Sequence, residues 1–172
     1  MLQSQRRAAL RRLGALLAAG TGATVTPTFT PAATPTKEPP RMPQVAKGSF
    51  DVEMKPQAEP AAADGVSLGR MSLAKTFHGD MQATGQGEML TALTPTKCSA
   101  GYVAIERVTG TLHGRRGSFV FQHSGLMDQG AQSLSIRVVP GSGTGDLAGL
   151  AGDFRLRIVD GKHLYEFEYT LP

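Results

Sequence analysis

The feature that most constrains this chain is a two-residue hydrophobic period that returns in segment after segment. In FRLRI, Phe154, Leu156 and Ile158 alternate with Arg155 and Arg157. In LYEFEYTL, Tyr165, Phe167, Tyr169 and Leu171 alternate with Glu166 and Glu168. Successive side chains of a β-strand point to opposite faces, so each run puts its apolar residues on one side and its charges on the other. The period also runs through YVAIERVTGTL, where Tyr102, Ala104, Glu106, Val108 and Leu112 share a face. GSFVFQH groups Phe119, Phe121 and His123, and SLSIRVV groups Leu134, Ile136 and Val138. After the N-terminal region no long segment carries a helical period.

Turn signals separate these runs: LHGRRG, GLMDQG, PGSGTG and DGK. Asp160-Gly161 is a hairpin pair, because glycine accepts a positive φ without a Cβ clash. Earlier strands are expected over Gly48 to Lys55, Met71 to Phe77 and Asp80 to Leu93, with Gly85 and Gly87 marking a bulge in the last. The total is about eight strands with short connections. An open sheet of that kind leaves aggregation-prone edges, and closure removes them. The expected fold class is therefore all-β, an antiparallel barrel of about eight strands. Such a barrel has room for packed side chains or for one small ligand.

The N-terminal region reads differently. Residues 1–23, MLQSQRRAALRRLGALLAAGTGA, have a basic start, a short apolar stretch from Leu13 to Ala19 and small residues after it. That is the pattern of an export signal. Arg6 and Arg7 give it a twin-arginine character. The apolar stretch is far short of the roughly 20 residues that cross a bilayer, so no stable membrane insertion is expected. Residues 24–44, TVTPTFTPAATPTKEPPRMPQ, are dominated by Thr and Pro and read as a disordered linker. The folded domain is expected over 45–172, and the protein is expected in the periplasm or outside the cell.

Charge excludes one class of partner. The formal net charge is +4, but Arg6, Arg7, Arg11 and Arg12 all lie in the leader. With those four set aside, 14 basic residues face 14 acidic ones. The later basic residues are scattered rather than clustered, so nucleic-acid binding is not expected. Cys98 is the single cysteine, which excludes an internal disulfide, and it reads as a small hydrophobe at a strand start rather than a nucleophile. His78, His113 and His163 fall at strand ends or turns with no metal-ligand spacing, so neither metal nor cofactor is expected. No Ser lies in a GxSxG elbow. A homo-oligomer is compatible with the sequence.

The run VVPGSGTGDLAGLAGDF, from Val138 to Phe154, invites a phosphate-loop reading and fails it. Asp146 stands where the third glycine of a GxGxxG fingerprint would fall, and a strand follows rather than a helix. No Gly-Lys-Ser or Gly-Lys-Thr exists for a Walker loop. Gly141, Gly143, Thr144 and Gly145 are therefore read as a structural glycine loop between barrel strands. The block from Ser142 to Gly152, SGTGDLAGLAG, resembles the GGTGxFxxAxG signature of allene oxide cyclases and dirigent proteins, which are eight-stranded antiparallel barrels. Together with Glu106-Arg107-Val108-Thr109-Gly110 and Gly117-Ser118-Phe119-Val120-Phe121-Gln122-His123, the block from Val138 to Gly145 is similar to the DUF3224 family of bacterial proteins. The resemblance spans about Val45 to Pro172 and implies the barrel. It carries over no catalytic residue, because the shared glycine motif is structural.

The candidate site follows from strand phase. If Phe119 and Phe121 face the lumen, so does His123; Glu106 shares its face with Val108. A carboxylate and an imidazole in an apolar lumen would perturb each other's titration, which makes Glu106 and His123 the candidate catalytic pair. Phe119, Phe121, His123 and Glu106 are the candidate pocket residues. The competing reading pairs Glu106 with Arg107, Arg115 or Arg137 at a barrel end and gives His123 a backbone carbonyl. Three functions remain open: a barrel that binds a small apolar ligand, an isomerase or cyclase working in the lumen, and a structural or protein-interaction barrel with a filled core.

Overall fold

The computed structural model describes residues 42–172. The leader and nearly all of the Thr/Pro-rich segment lie outside the described residues. Long strands run over Gln44–Pro56 (β1), Val66–Gly79 (β3), Met81–Leu93 (β4), Ala100–Leu112 (β5), Arg115–Asp128 (β6), Ala131–Val138 (β7), Ala151–Val159 (β8) and Lys162–Thr170 (β9). A three-residue strand, Ala61–Ala63 (β2), lies along the start of β3.

Every pairing is antiparallel, and strands adjacent in sequence are adjacent in the sheet from β2 through to β9. Closure comes from β1. Its first half, Gln44 to Phe50, pairs with β9, and Gly48 to Pro56 pairs with β3. The eight long strands thus form a closed barrel, as the period-two pattern implies.

The hairpins use the expected chemistry. Asp160 and Gly161 have φ of 50° and 76°, and both central residues of a type I′ turn need a positive φ. His113-Gly114 and Gln129-Gly130 close their hairpins in the same way.

The expected bulge at Gly85 and Gly87 is not present. Register through β4 is unbroken: Lys75↔Gly85, Leu73↔Gly87, and on the other side Gly85↔Val108 and Gly87↔Glu106. These glycines are small for a packing reason, given below.

The core fills one half of the barrel. Phe119, Phe121, Phe154, Phe167, Tyr165 and Tyr169 interlock there, with ring centroids 4.9 Å apart for Phe119–Phe121 and 5.1 Å for Phe121–Phe154. Offset and edge-on aromatic pairs of this kind add stabilisation beyond their buried area.

The glycine loop closes that end. β7 pairs with β6 only from Phe121 onward, which leaves the first part of β6 without a strand neighbour on that side. The loop takes the strand's place. Ser142 Oγ accepts from Val120 N–H at 3.0 Å, Thr144 Oγ1 from Ser118 N–H at 3.0 Å, and Asp146 Oδ2 from Arg116 N–H at 3.2 Å. A 3₁₀ turn over Gly145–Leu147 then drops Leu147 and Leu150 into the barrel end, where both are buried.

Candidate functional site

Chemistry gathers where the packed half gives way to open space. Glu106 projects inward from β5, Lys75 from β3 and His123 from β6. Their side chains are 0%, 7% and 4% exposed. Alternation places each of them. Lys75 lies between inward-facing Leu73 and Phe77, Glu106 between Ala104 and Val108, and His123 between Phe121 and Gly125.

Glu106 Oε2 is the hub. It accepts a hydrogen bond from Lys75 Nζ at 2.8 Å. His123 Nε2 stands 3.0 Å from the same oxygen.

Oε1 has no partner at all. It rests against the Gly85 backbone, where any Cβ would overlap it. Gly87 allows β5 the same close approach, since a Cβ there would strike the backbone of Ile105 and Glu106. The two glycines are the socket of the carboxylate.

Burial, the largest effect, pushes the Glu106 carboxyl up. His123 and Lys75 together outweigh it and hold the group below its ordinary value. Glu106 is thus a buried carboxylate, compensated by a lysine ammonium. The ammonium also lies over two rings, 4.8 Å from the Phe50 centroid and 5.7 Å from that of Phe77.

Above this cluster the lumen is open. A cavity of about 380 Å³ runs from Lys75 and His123 to the barrel end at which β1 and β4 finish. Its walls are mainly apolar: Leu73, Met89, Ala104, Ile136 and Leu156 are among them. Tyr102 borders it too, its ring lying over Gly125, where a side chain would collide with it. Burial, with the Glu106 charge adding to it, pushes the Tyr102 phenol up, so the hydroxyl keeps its proton. β7 and β8 meet at one residue pair, Arg137↔Asp153, and beyond it Ile136 and Leu156 face the cavity.

The sequence-derived candidates divide at this boundary. His123 borders the cavity. Glu106 lies behind Lys75 and His123 and does not line it. Phe119 and Phe121 point inward but belong to the packed half, outside the cavity wall. The arginine partner considered for Glu106 is replaced by Lys75: Arg137 pairs with Asp153 at 2.9 Å on the outer surface, and Arg107 and Arg115 are exposed. Lys75 escaped the sequence reading, although its signal was present. In LAKTF a lysine falls in phase with Leu73 and Phe77, and a charge on the apolar face of a strand requires a buried counter-charge.

The remaining histidines make other contacts. His78 Nε2 is 3.0 Å from Asp51 on the surface, His113 Nδ1 is 2.7 Å from the Tyr169 hydroxyl, and His163, which also borders the cavity, stacks on Phe50 with centroids 5.0 Å apart.

Comparison with known proteins places this architecture. The family described as a protein of unknown function, DUF3224, matches residues 46–169, which runs from within β1 to within β9 and so takes in nearly all of the barrel. The chain belongs to the DUF3224 family. A crystal structure of a DUF3224 protein of unknown function from Shewanella oneidensis MR-1 is 49% identical to it. The match covers 76% of this chain and all of that one, with a TM-score of 0.72. No curated protein matches the chain. Within the DUF3224 barrel, the three sequence blocks that carried the resemblance have distinct jobs. The Glu106 block supplies the buried carboxylate, the Gly117 to His123 block the aromatic core and the imidazole, and the glycine block the end plug.

Proposed function

We propose that this DUF3224 barrel binds a small, largely apolar ligand in the open half of its lumen. The observation that carries the reading is the cavity of about 380 Å³ with mainly apolar walls. Binding pockets are typically concave, apolar and furnished with a few polar groups that orient the ligand. Here those groups include Lys75, His123 and Tyr102. A barrel built only to pack its own side chains has no use for such a space, which argues against the filled-core reading.

The test is a neutral apolar fluorophore of fitting size, 1-aminonaphthalene, titrated into the protein. Saturable one-to-one binding is expected. Ala104→Phe puts a ring into the cavity wall and should abolish that binding while the barrel still melts cooperatively. Binding that survives the substitution would place the fluorophore elsewhere and sink the proposal.

An isomerase or cyclase is the second reading. It draws on one observation: His123 borders the cavity with a carboxylate at its back, an arrangement suited to moving a proton. In that case His123→Ala would lower turnover far more than it lowers ligand affinity. We also propose that the protein is exported, on the strength of the leader sequence.

A further inference from the structure

We infer that the ligand of the lumen is an apolar chain ending in a carboxylate, inserted head first so that its head meets Lys75. This rests on the lumen-binding reading and adds the head group to it.

Three observations support it. First, the cavity floor presents an ammonium with hydrogen-bonding capacity to spare. An ammonium has three N–H donors, and Lys75 gives one to Glu106 Oε2, its single side-chain acceptor among the described residues. The rest of its surroundings are the Phe50 and Phe77 rings and the cavity. The Tyr102 hydroxyl is a further protonated donor on the wall.

Second, the charges are layered. Glu106 is fully buried and does not line the cavity, whereas Lys75 does. A ligand entering the lumen meets the cation in front and the anion behind it. In an apolar surrounding that nearer charge dominates the local field. The layering is fixed by the Gly85 socket, which lets the carboxylate retreat to the β4 backbone.

Third, the size agrees. At about 30 Å³ per water-sized group, the cavity of about 380 Å³ takes roughly a dozen non-hydrogen atoms. That accommodates a carboxylate on a medium-length hydrocarbon chain. The walls near the open end, with Met54, Leu93 and Leu126, are apolar and suit the tail.

The experiment displaces 1-aminonaphthalene with three compounds of one chain length at pH 8: decanoate, decan-1-ol and methyl decanoate. Decanoate should displace the probe at about tenfold to a hundredfold lower concentration than the alcohol or the ester, the range expected for a charge-assisted hydrogen bond. The double variant Lys75→Met with Glu106→Gln removes both charges at nearly constant volume. It should still take up the probe and decan-1-ol, and the preference for decanoate should disappear. Equal displacement by acid and alcohol in the parent overturns the head-group inference and leaves lumen binding standing. So does a preference that persists in the double variant. Failure of the probe and all three compounds to bind overturns both readings. The comparison within the parent protein decides the question even if the double variant does not fold.

Discussion

Glu106 shows how much depends on a single buried charge. Its carboxylate is wholly enclosed, answers Lys75 at 2.8 Å and occupies a socket that only glycine can form. Replacing it by Gln keeps the shape and strands the ammonium without a counter-charge. Breaking a buried pair from one side costs roughly 3–5 kcal/mol, against about 0–1 for an exposed pair such as Arg70–Glu88. Glu106→Gln should therefore lower stability in urea by that larger amount. The pH dependence follows from the same contact. The folded carboxyl titrates below its ordinary value of 4.5, so its charge contributes stability above about that pH. The contribution is lost as the pH falls through the folded value, because protonation then costs more in the folded state than in the unfolded chain. Chemical denaturation between pH 7 and pH 3 should show the parent losing this increment below about 4.5, and Glu106→Gln losing less. Equal losses in the two proteins would mean that the carboxylate is not held ionised by its partners.

At the scale of the element, the glycine loop does a strand's work without being a strand. Ser142, Thr144 and Asp146 are two residues apart, and so are Val120, Ser118 and Arg116, whose amides they satisfy in antiparallel order. These bonds give the start of β6 the partners a strand would otherwise supply, while Leu147 and Leu150 seal the end. Two glycines make the path possible. Gly145 has φ of 58°, and a Cβ on Gly143 would overlap the Leu147 carbonyl. Gly145→Val and Gly143→Val should each destabilise the barrel by about 1–3 kcal/mol in denaturant melts. Neither should affect nucleotide affinity, since the parent is expected to have none. Millimolar ATP binding that these substitutions abolish would reverse this account of the loop.

For the whole molecule, closure is the decisive event. β1 joins β9 across more than a hundred residues of chain and pairs on its other side with the nearby β3, and without it β9 and most of β3 would be free edges. The chain that precedes β1 has a separate task in our reading, which is export. A reporter fused after residue 44 should leave the cytoplasm, and Arg6→Lys with Arg7→Lys should retain it there. Secretion unchanged by the double substitution would assign the leader to another route.

The sequence by itself determined which residues face inward. Alternation is a property of the strand backbone, so Phe121, His123, Glu106, Val108, Phe167 and Tyr169 could be assigned to the lumen from local pattern. It determined the hairpins as well, because Asp160-Gly161 carries its turn chemistry in two adjacent residues. The pattern could not say which inward residues meet. Lys75 and Glu106 are 31 positions apart, and the register that joins them runs through Gly85 and Gly87 on the strand between. Those glycines read as a bulge when only local conformation is considered. They are a socket once the neighbouring strand is in place. Only the tertiary structure decided where packing ends and the cavity begins, with Phe119 on one side of that boundary and His123 on the other. Strand phase is a short-range consequence of backbone geometry. The division of a lumen between core and cavity depends on the volumes of side chains from eight strands at once.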